Sequence, residues 1–252
     1  MKLNCDMGEA FGAWKMGEDT HIMPFVDQAN VACGFHASDP LTMSKTVALA
    51  KQHGVTLGAH PAYPDLVGFG RRNMDVAPAE LKALIQYQIG ALQGICQAHE
   101  VKLSYVKPHG ALYNQMMADF TILETVMQAV SELDSSLTLM VMAIPEAEQV
   151  KQLAQKYALN VWFEAFADRL YTDEGRLTPR KLPNAVHASF ELIEQQVVQL
   201  CETGTLTTAS GKSLAIHADT ICVHGDGAHA VDAVKRIRKL VNATQQNNTT
   251  TS

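Results

Sequence analysis

A chain of 252 residues, 47% apolar and 18% charged, has the size of one large α/β domain or two small ones and enough apolar side chain for a substantial core. A net charge of −6 with no run of Lys or Arg argues against a nucleic-acid partner, and no apolar window is long enough to cross a membrane. Five scattered cysteines without a Cys-x-x-Cys pair make neither a disulfide framework nor a structural zinc cluster. With no apolar leader after Met1, the expectation is a cytoplasmic protein with reduced thiols.

Taken in order, short apolar runs of strand type are expected over residues 3–5, 28–32, 55–59, 103–106, 137–142, 160–163 and 220–223, with a small extra strand over 213–216. Helical spacing fills the intervals at 40–53, 78–99, 120–133, 146–157, 188–201 and 228–241. The helix from Pro40 carries Ser38 or Asp39 at its cap and Gly54 just past its end. Strand alternates with helix throughout, the signature of a parallel sheet with helices outside it. No composition break divides residues 1–243, which read as one domain, and the polar residues 244–252 are expected to form an unstructured tail. Polar groups follow nearly every strand, not those at one crevice only. The expected fold is therefore a closed, distorted seven-stranded β/α barrel related to the eight-stranded TIM barrel.

Ligands of such folds sit at the carboxyl ends of the strands. Those ends supply Asn4, Asp6 and Glu9; Asn30 and His36; His60, Arg71 and Arg72; Lys107 and His109; Glu164, Asp168 and Arg169; and His224 and Asp226. A single histidine after a strand is as often a structural residue as a functional one. Four strands ending in histidine beside an acid, an amide or a lysine point to an active site. Asp6, His36 and His60 combine oxygen and nitrogen donors suited to a divalent metal, or to general acid–base work without one. Lys107, at a strand end, can hold a carboxylate or phosphate or simply pair with a neighbouring acid. Arg71-Arg72 and Asp168-Arg169 can clamp an anion, the first pair more so for its Gly68-Phe69-Gly70 context. No nucleotide motif is present: Gly204 stands too far from Gly211-Lys212-Ser213 for a phosphate loop, and Gly68-Phe69-Gly70 lacks a third glycine.

The blocks around Asn4-Cys5-Asp6-Met7-Gly8-Glu9, Asn30-Val31-Ala32-Cys33-Gly34-Phe35-His36, Gly58-Ala59-His60-Pro61 through Arg72, Lys107-Pro108-His109-Gly110, Phe166-Ala167-Asp168-Arg169 and Cys222-Val223-His224-Gly225-Asp226 resemble the LamB/YcsF family in one order from Leu3 to Asp226. The resemblance implies a seven-stranded barrel of the polysaccharide deacetylase superfamily. It also implies a polypeptide that acts with two partners, 5-oxoprolinase subunits B and C, to open 5-oxo-L-proline to L-glutamate with ATP. ATP is then expected on the partners. On that reading Asp6 with His36 or His60 activates water, Lys107 and Arg72 hold the substrate carboxylate or the phosphate, and His109 protonates the ring nitrogen. Asn4, Glu9, Asn30, Arg71, Asp168, Arg169, His224 and Asp226 complete the binding site. Two other readings stay open: a metal-dependent carbohydrate deacetylase with its ion at Asp6, His36 and His60, and a non-catalytic subunit that binds a small anion.

Overall fold

Strand residues of alternating character set the architecture. The computed structural model describes residues 1–187, 189–224 and 230–250, with side chains through Gln246. Its strands are β1 (Lys2–Met7), β2 (Gln28–Ala32), β3 (Thr56–His60), β4 (Leu103–Val106), β5 (Thr138–Met142), β6 (Asn160–Phe166), β7 (Thr205–Thr207), β8 (Ser213–Ala215) and β9 (Thr220–Val223). Strands β1 to β6 and β9 are parallel and close into a seven-stranded barrel in which β9 pairs with both β1 and β6. The expected extra strand, β8, pairs antiparallel with β7 outside the barrel.

The apolar residues Leu3, Cys5, Ala29, Val31, Leu57, Ala59, Phe163, Ala165, Ile221 and Val223 belong to the buried core that packs the strands against the surrounding helices. The alternate residues are polar, and they bond to one another inside the barrel. Asn4 Nδ2 donates to Thr220 Oγ1 (3.1 Å), Thr220 Oγ1 to Gln28 Oε1 (2.7 Å) and Asn30 Nδ2 to Asn4 Oδ1 (2.8 Å). The Tyr105 hydroxyl crosses from β4 to Asn30 Oδ1 on β2 at 2.6 Å. It can do so because the strand between them carries Gly58, whose hydrogen faces the phenol ring at the point where β3 and β4 shift register.

The helices are α1 (Asp19–Ile22), followed by a 3-10 turn at Met23–Phe25, α2 (Pro40–His53), α3 (Pro78–Ala98), α4 (Gly110–Ala118), α5 (Phe120–Asp134), α6 (Ala147–Gln155), α7 (Phe190–Thr203) and α8 (Ala230–Thr250). Asp39 caps α2 by accepting from the Leu41 and Thr42 amides, Pro40 opens it, and Gly54 ends it at φ +66°. Helix α3 buries Leu81, Ile85, Ile89 and Leu92, each such side chain contributing about 1.5–3 kcal/mol. The polar residue on that face, Gln88, bonds the backbone of Ala62 through both ends of its amide, at 2.9 Å each, and so ties the loop after β3 to the helix. Where a polar tail was expected to lack structure, α8 continues through Thr250, and Gln245 Nε2 donates to Met1 O.

Replacing Gly58 by Ala drives a methyl into the Tyr105 ring, far inside van der Waals contact, so the ring must move and release Asn30. Overpacking of this kind costs about 1–3 kcal/mol. A urea midpoint within error of wild type would show that the ring is free to yield.

Candidate active site at the barrel mouth

The strand ends bring one cation into a cage of oxygens. Lys107, one residue past β4, is buried, and its Nζ lies 2.9 Å from Asp6 Oδ1 and 2.8 Å from Glu164 Oε1. Asn4 Oδ1 and Cys222 Sγ stand at 3.4 Å each. Burial alone would strip the ammonium of its proton; Asp6, Cys222 and Glu164 reverse that and hold its pKa well above the usual lysine value. Burial likewise works against the Asp6 anion, yet His60 and Lys107 hold its carboxyl well below the usual range. Asp6 Oδ1 is committed, since it also accepts from Asn30 Nδ2 at 2.7 Å. Its Oδ2 faces His60 Nε2 at 3.3 Å and is the oxygen available to a ligand.

Three histidines lie beside this carboxylate. His60 Nδ1 stands 2.6 Å from Lys107 O and His109 Nε2 stands 2.9 Å from Phe69 O. A carbonyl only accepts, so both of those nitrogens carry hydrogen. The two remaining nitrogens, His60 Nε2 and His109 Nδ1, face each other at 2.9 Å, a distance that requires one proton between them. His109 therefore has both nitrogens engaged and aims no hydrogen at the mouth. His36 stacks on His109 with centroids 3.7 Å apart and planes at 4°, its Nε2 3.3 Å from Glu9 Oε1 and its buried Nδ1 without a hydrogen-bond partner. Burial and the neighbouring histidines push the His36 and His109 pKa values well below the usual imidazole value.

The loop after β3 holds this group in place. Gly70 sits at φ +63°, where a Cβ would come within 2.8 Å of both His36 and His109, and its carbonyl accepts from the Ala111 amide at 2.8 Å. Arg72 is spent on the same loop: its guanidinium pairs with the buried Asp65 carboxylate, which also caps Gly68 N at 2.9 Å. Arg71 lies on the rim with its guanidinium 5.0 Å from the Phe69 ring centroid. Of the expected clamp, Arg71 is the member beside the histidines and Arg72 is the loop's clasp.

Across the mouth, His224 Nδ1 bonds Asp168 Oδ2 at 2.8 Å, its ring stacked on Phe166. Arg169 does not face a ligand. Buried, it donates to Thr178 O (2.7 Å) and Ala185 O (3.2 Å) and so pins the long segment after β6. Burial and then Arg180 lower its pKa to about 10. Asn4 and Asn30 belong to the network beneath the mouth, and Asp226 lies outside the described residues. Sequence reasoning assigned no role to Tyr113, whose hydroxyl donates to Glu164 Oε2 at 2.7 Å, or to Cys222 under Lys107. Glu164 was legible as a strand-end acid, while Tyr113 carried a signal only as part of the block that begins at Lys107.

Among the described residues, two side-chain groups gather donor atoms within 4.8 Å of one another: Glu9, His36, His60 and His109, and Asp6, Cys222 and His224. The first can offer an ion Glu9, His60 and one of its two stacked histidines; the second suits an ion poorly. A metal lies in the plane of each ring that ligates it, and the parallel planes of His36 and His109 do not meet. In the second group the Lys107 ammonium already stands against Asp6 and Cys222, and burial raises the Cys222 thiol well above its usual value, opposing the thiolate a metal needs. The expected trio of Asp6, His36 and His60 does not converge either, since His36 Nε2 turns to Glu9.

The chain matches the LamB/YcsF family over residues 1–252. It is 55% identical over 240 residues to the A subunit of 5-oxoprolinase from Pseudomonas fluorescens, covering 95% of this chain and 96% of that one. Identity to a 5-oxoprolinase A subunit of Pseudomonas putida, the second of that name, is 53% over 239 residues, with 95% and 93% covered. The crystal structure of the lactam utilization protein from Thermus thermophilus superposes with a TM-score of 0.89 at 38% identity over 97% of each chain.

Lys107→Met leaves Asp6 and Glu164 facing each other unpaired; a loss of about 3–5 kcal/mol is expected in denaturant unfolding, and a loss below about 1 would mean one carboxylate is already neutral. His36 and His109, held neutral when folded, contribute stability that is present above their unfolded value of about 6.5 and lost as pH falls below it. His224, whose pKa is raised chiefly by Asp168 against the effect of burial, works in the opposite sense and offsets part of the loss. The urea midpoint should therefore drop between about pH 7 and pH 5. The drop should shrink in His36→Gln, and an equal drop in that variant would remove His36 from the account.

Proposed function

The chain belongs to the LamB/YcsF family, and from that premise we propose that it is the A subunit of an ATP-dependent 5-oxoprolinase, a hydrolase that opens the lactam of 5-oxo-L-proline to L-glutamate. It acts with partner subunits, B and C, which bind ATP and phosphorylate the substrate. The observation that carries the reading is the Asp6 carboxylate, fixed through one oxygen by Lys107 and Asn30 and open through the other beside His60. That is the arrangement of a general base.

The chemistry explains the division of labour. An amide carbon is a poor electrophile, and this chain carries no phosphate loop with which to activate it. Phosphorylation of the amide oxygen by the partners makes the carbon reactive. The hydrolytic half then needs a base for water, fixed charge for the substrate carboxylate and a water-poor pocket. Asp6 Oδ2, beside His60 Nε2 at 3.3 Å, holds the water and takes its proton. Arg71 on the rim meets the substrate carboxylate, while Lys107 keeps Asp6 charged and oriented. A metal-dependent carbohydrate deacetylase is the weaker reading because the donor atoms converge on an ammonium and on stacked rings.

The test is glutamate release from 5-oxoproline and ATP by the purified chain alone and mixed with its partners. Activity is expected in the mixture only. Asp6→Asn keeps the shape of the site and removes the base, so release should fall by about 100- to 10,000-fold with an unchanged circular dichroism spectrum. No release by a wild-type mixture whose subunits are folded and bound would sink the proposal.

A further inference from the structure

A base at Asp6 leaves open which group protonates the departing ring nitrogen. His109 has no hydrogen aimed at the mouth, since one nitrogen donates to Phe69 O and the other is paired with His60. We propose that His224 is the general acid of the lactam-opening step and that Asp168 is its positioning residue, an assignment that rests on the 5-oxoprolinase reading.

The geometry carries it. His224 follows β9, which pairs directly with β1, so the His224 ring stands next to Asp6, with a ring nitrogen, the Cys222 thiol and an Asp6 oxygen all within 4.8 Å of one another. Attacking oxygen and leaving nitrogen share one carbon. The base and the acid that serve them each stand one hydrogen bond, roughly 3 Å, from an atom on that carbon, so they belong on neighbouring strands. Asp168 Oδ2 at 2.8 Å takes the Nδ1 hydrogen and fixes the ring, and Nε2 stands 3.5 Å from the Arg180 guanidinium, which swings aside when the substrate's ring nitrogen takes that position. Phe166 stacks on one ring face, and the side chain keeps 22% of its surface exposed at the mouth, unlike the buried His36, His60 and His109. Asp168 Oδ1, buried and without a hydrogen-bond partner, marks a carboxylate held for its charge and not for a structural network. The groups facing His224 are Asp168 and Arg180 from the segment after β6, Asp6 from β1 and Phe166 from β6. Asp168 and Asp6 favour the imidazolium, whereas burial and Arg180 oppose it, and the balance raises its pKa.

In the ring-opening step the water oxygen adds to the amide carbon, whose oxygen bears the phosphoryl group delivered from ATP, and one water proton goes to Asp6. His224 gives its Nε2 proton to the ring nitrogen, and the carbon–nitrogen bond breaks with the electron pair on nitrogen. The added hydroxyl releases its remaining proton to solvent as the γ-acyl phosphate forms, and a second water hydrolyses that to L-glutamate and phosphate. Without the proton on nitrogen, phosphate is the better leaving group and the lactam re-forms, so ATP is consumed for nothing.

The experiment uses the full complex of this chain with its two partners, monitoring glutamate and ADP together across pH. His224→Gln is expected to lower glutamate release by about 100-fold or more and to raise the ratio of ADP to glutamate. Asp168→Asn should retain part of the rate and move the alkaline limb of the profile to lower pH, because the carboxylate that favours the imidazolium is gone. If His224→Gln does not fold, the shifted limb in Asp168→Asn decides. Glutamate release within about threefold of wild type in His224→Gln, or an unmoved limb in Asp168→Asn, overturns the assignment. Failure of the wild-type complex to release glutamate would instead overturn the functional reading on which it rests.

Discussion

The barrel mouth is organised by one buried ammonium. Lys107 is the cation against which Asp6 and Glu164 are both held, at 2.9 and 2.8 Å in a dry interior. A buried ion pair of this kind adds little net stability relative to well-packed apolar residues. Its effect is positional: Asp6 keeps one oxygen bound and one oxygen presented. Everything nearer the solvent takes its orientation from that.

The polar interior of the barrel serves the same end. Asn4, Gln28, Asn30, Thr220 and Tyr105 form a chain of hydrogen bonds across four strands, each donor meeting an acceptor at 2.6–3.1 Å. A satisfied buried network is rigid, since moving any member strands another. It forms a floor under Asp6 and Lys107 that an apolar filling would not supply, because Asn30 and Asn4 each place an atom at the site itself. Gly58 makes the floor possible by leaving room for the Tyr105 ring.

Above that floor the histidines divide into two electrostatic classes. His36 and His109, buried and stacked, resist a further proton, whereas His224 beside Asp168 accepts one readily. Chemistry that takes a proton from water and gives one to nitrogen needs groups of opposite tendency close together. The fold achieves that by pairing β9 with β1, so residues more than 200 positions apart stand side by side.

The sequence alone settled the barrel and the list of strand-end groups. Strand–helix alternation and the cap at Asp39-Pro40 are local signals, and the excess of charged and imidazole side chains behind strands is visible without coordinates. What each group does was not legible, because it depends on partners distant in the chain. Arg72 and Arg169 read as anion clamps, yet one closes on Asp65 and the other on the carbonyls of Thr178 and Ala185. Asp6, His36 and His60 read as a metal trio or an acid–base set, yet His36 turns its Nε2 to Glu9 and stacks on His109. Helix α4 and strand β7 escaped notice, the latter because three residues carry too little periodicity to register. Composition and spacing determine which side chains reach the mouth; only the closed sheet decides which of them pair, since pairing is a matter of a few ångströms between strands that meet only when the barrel closes.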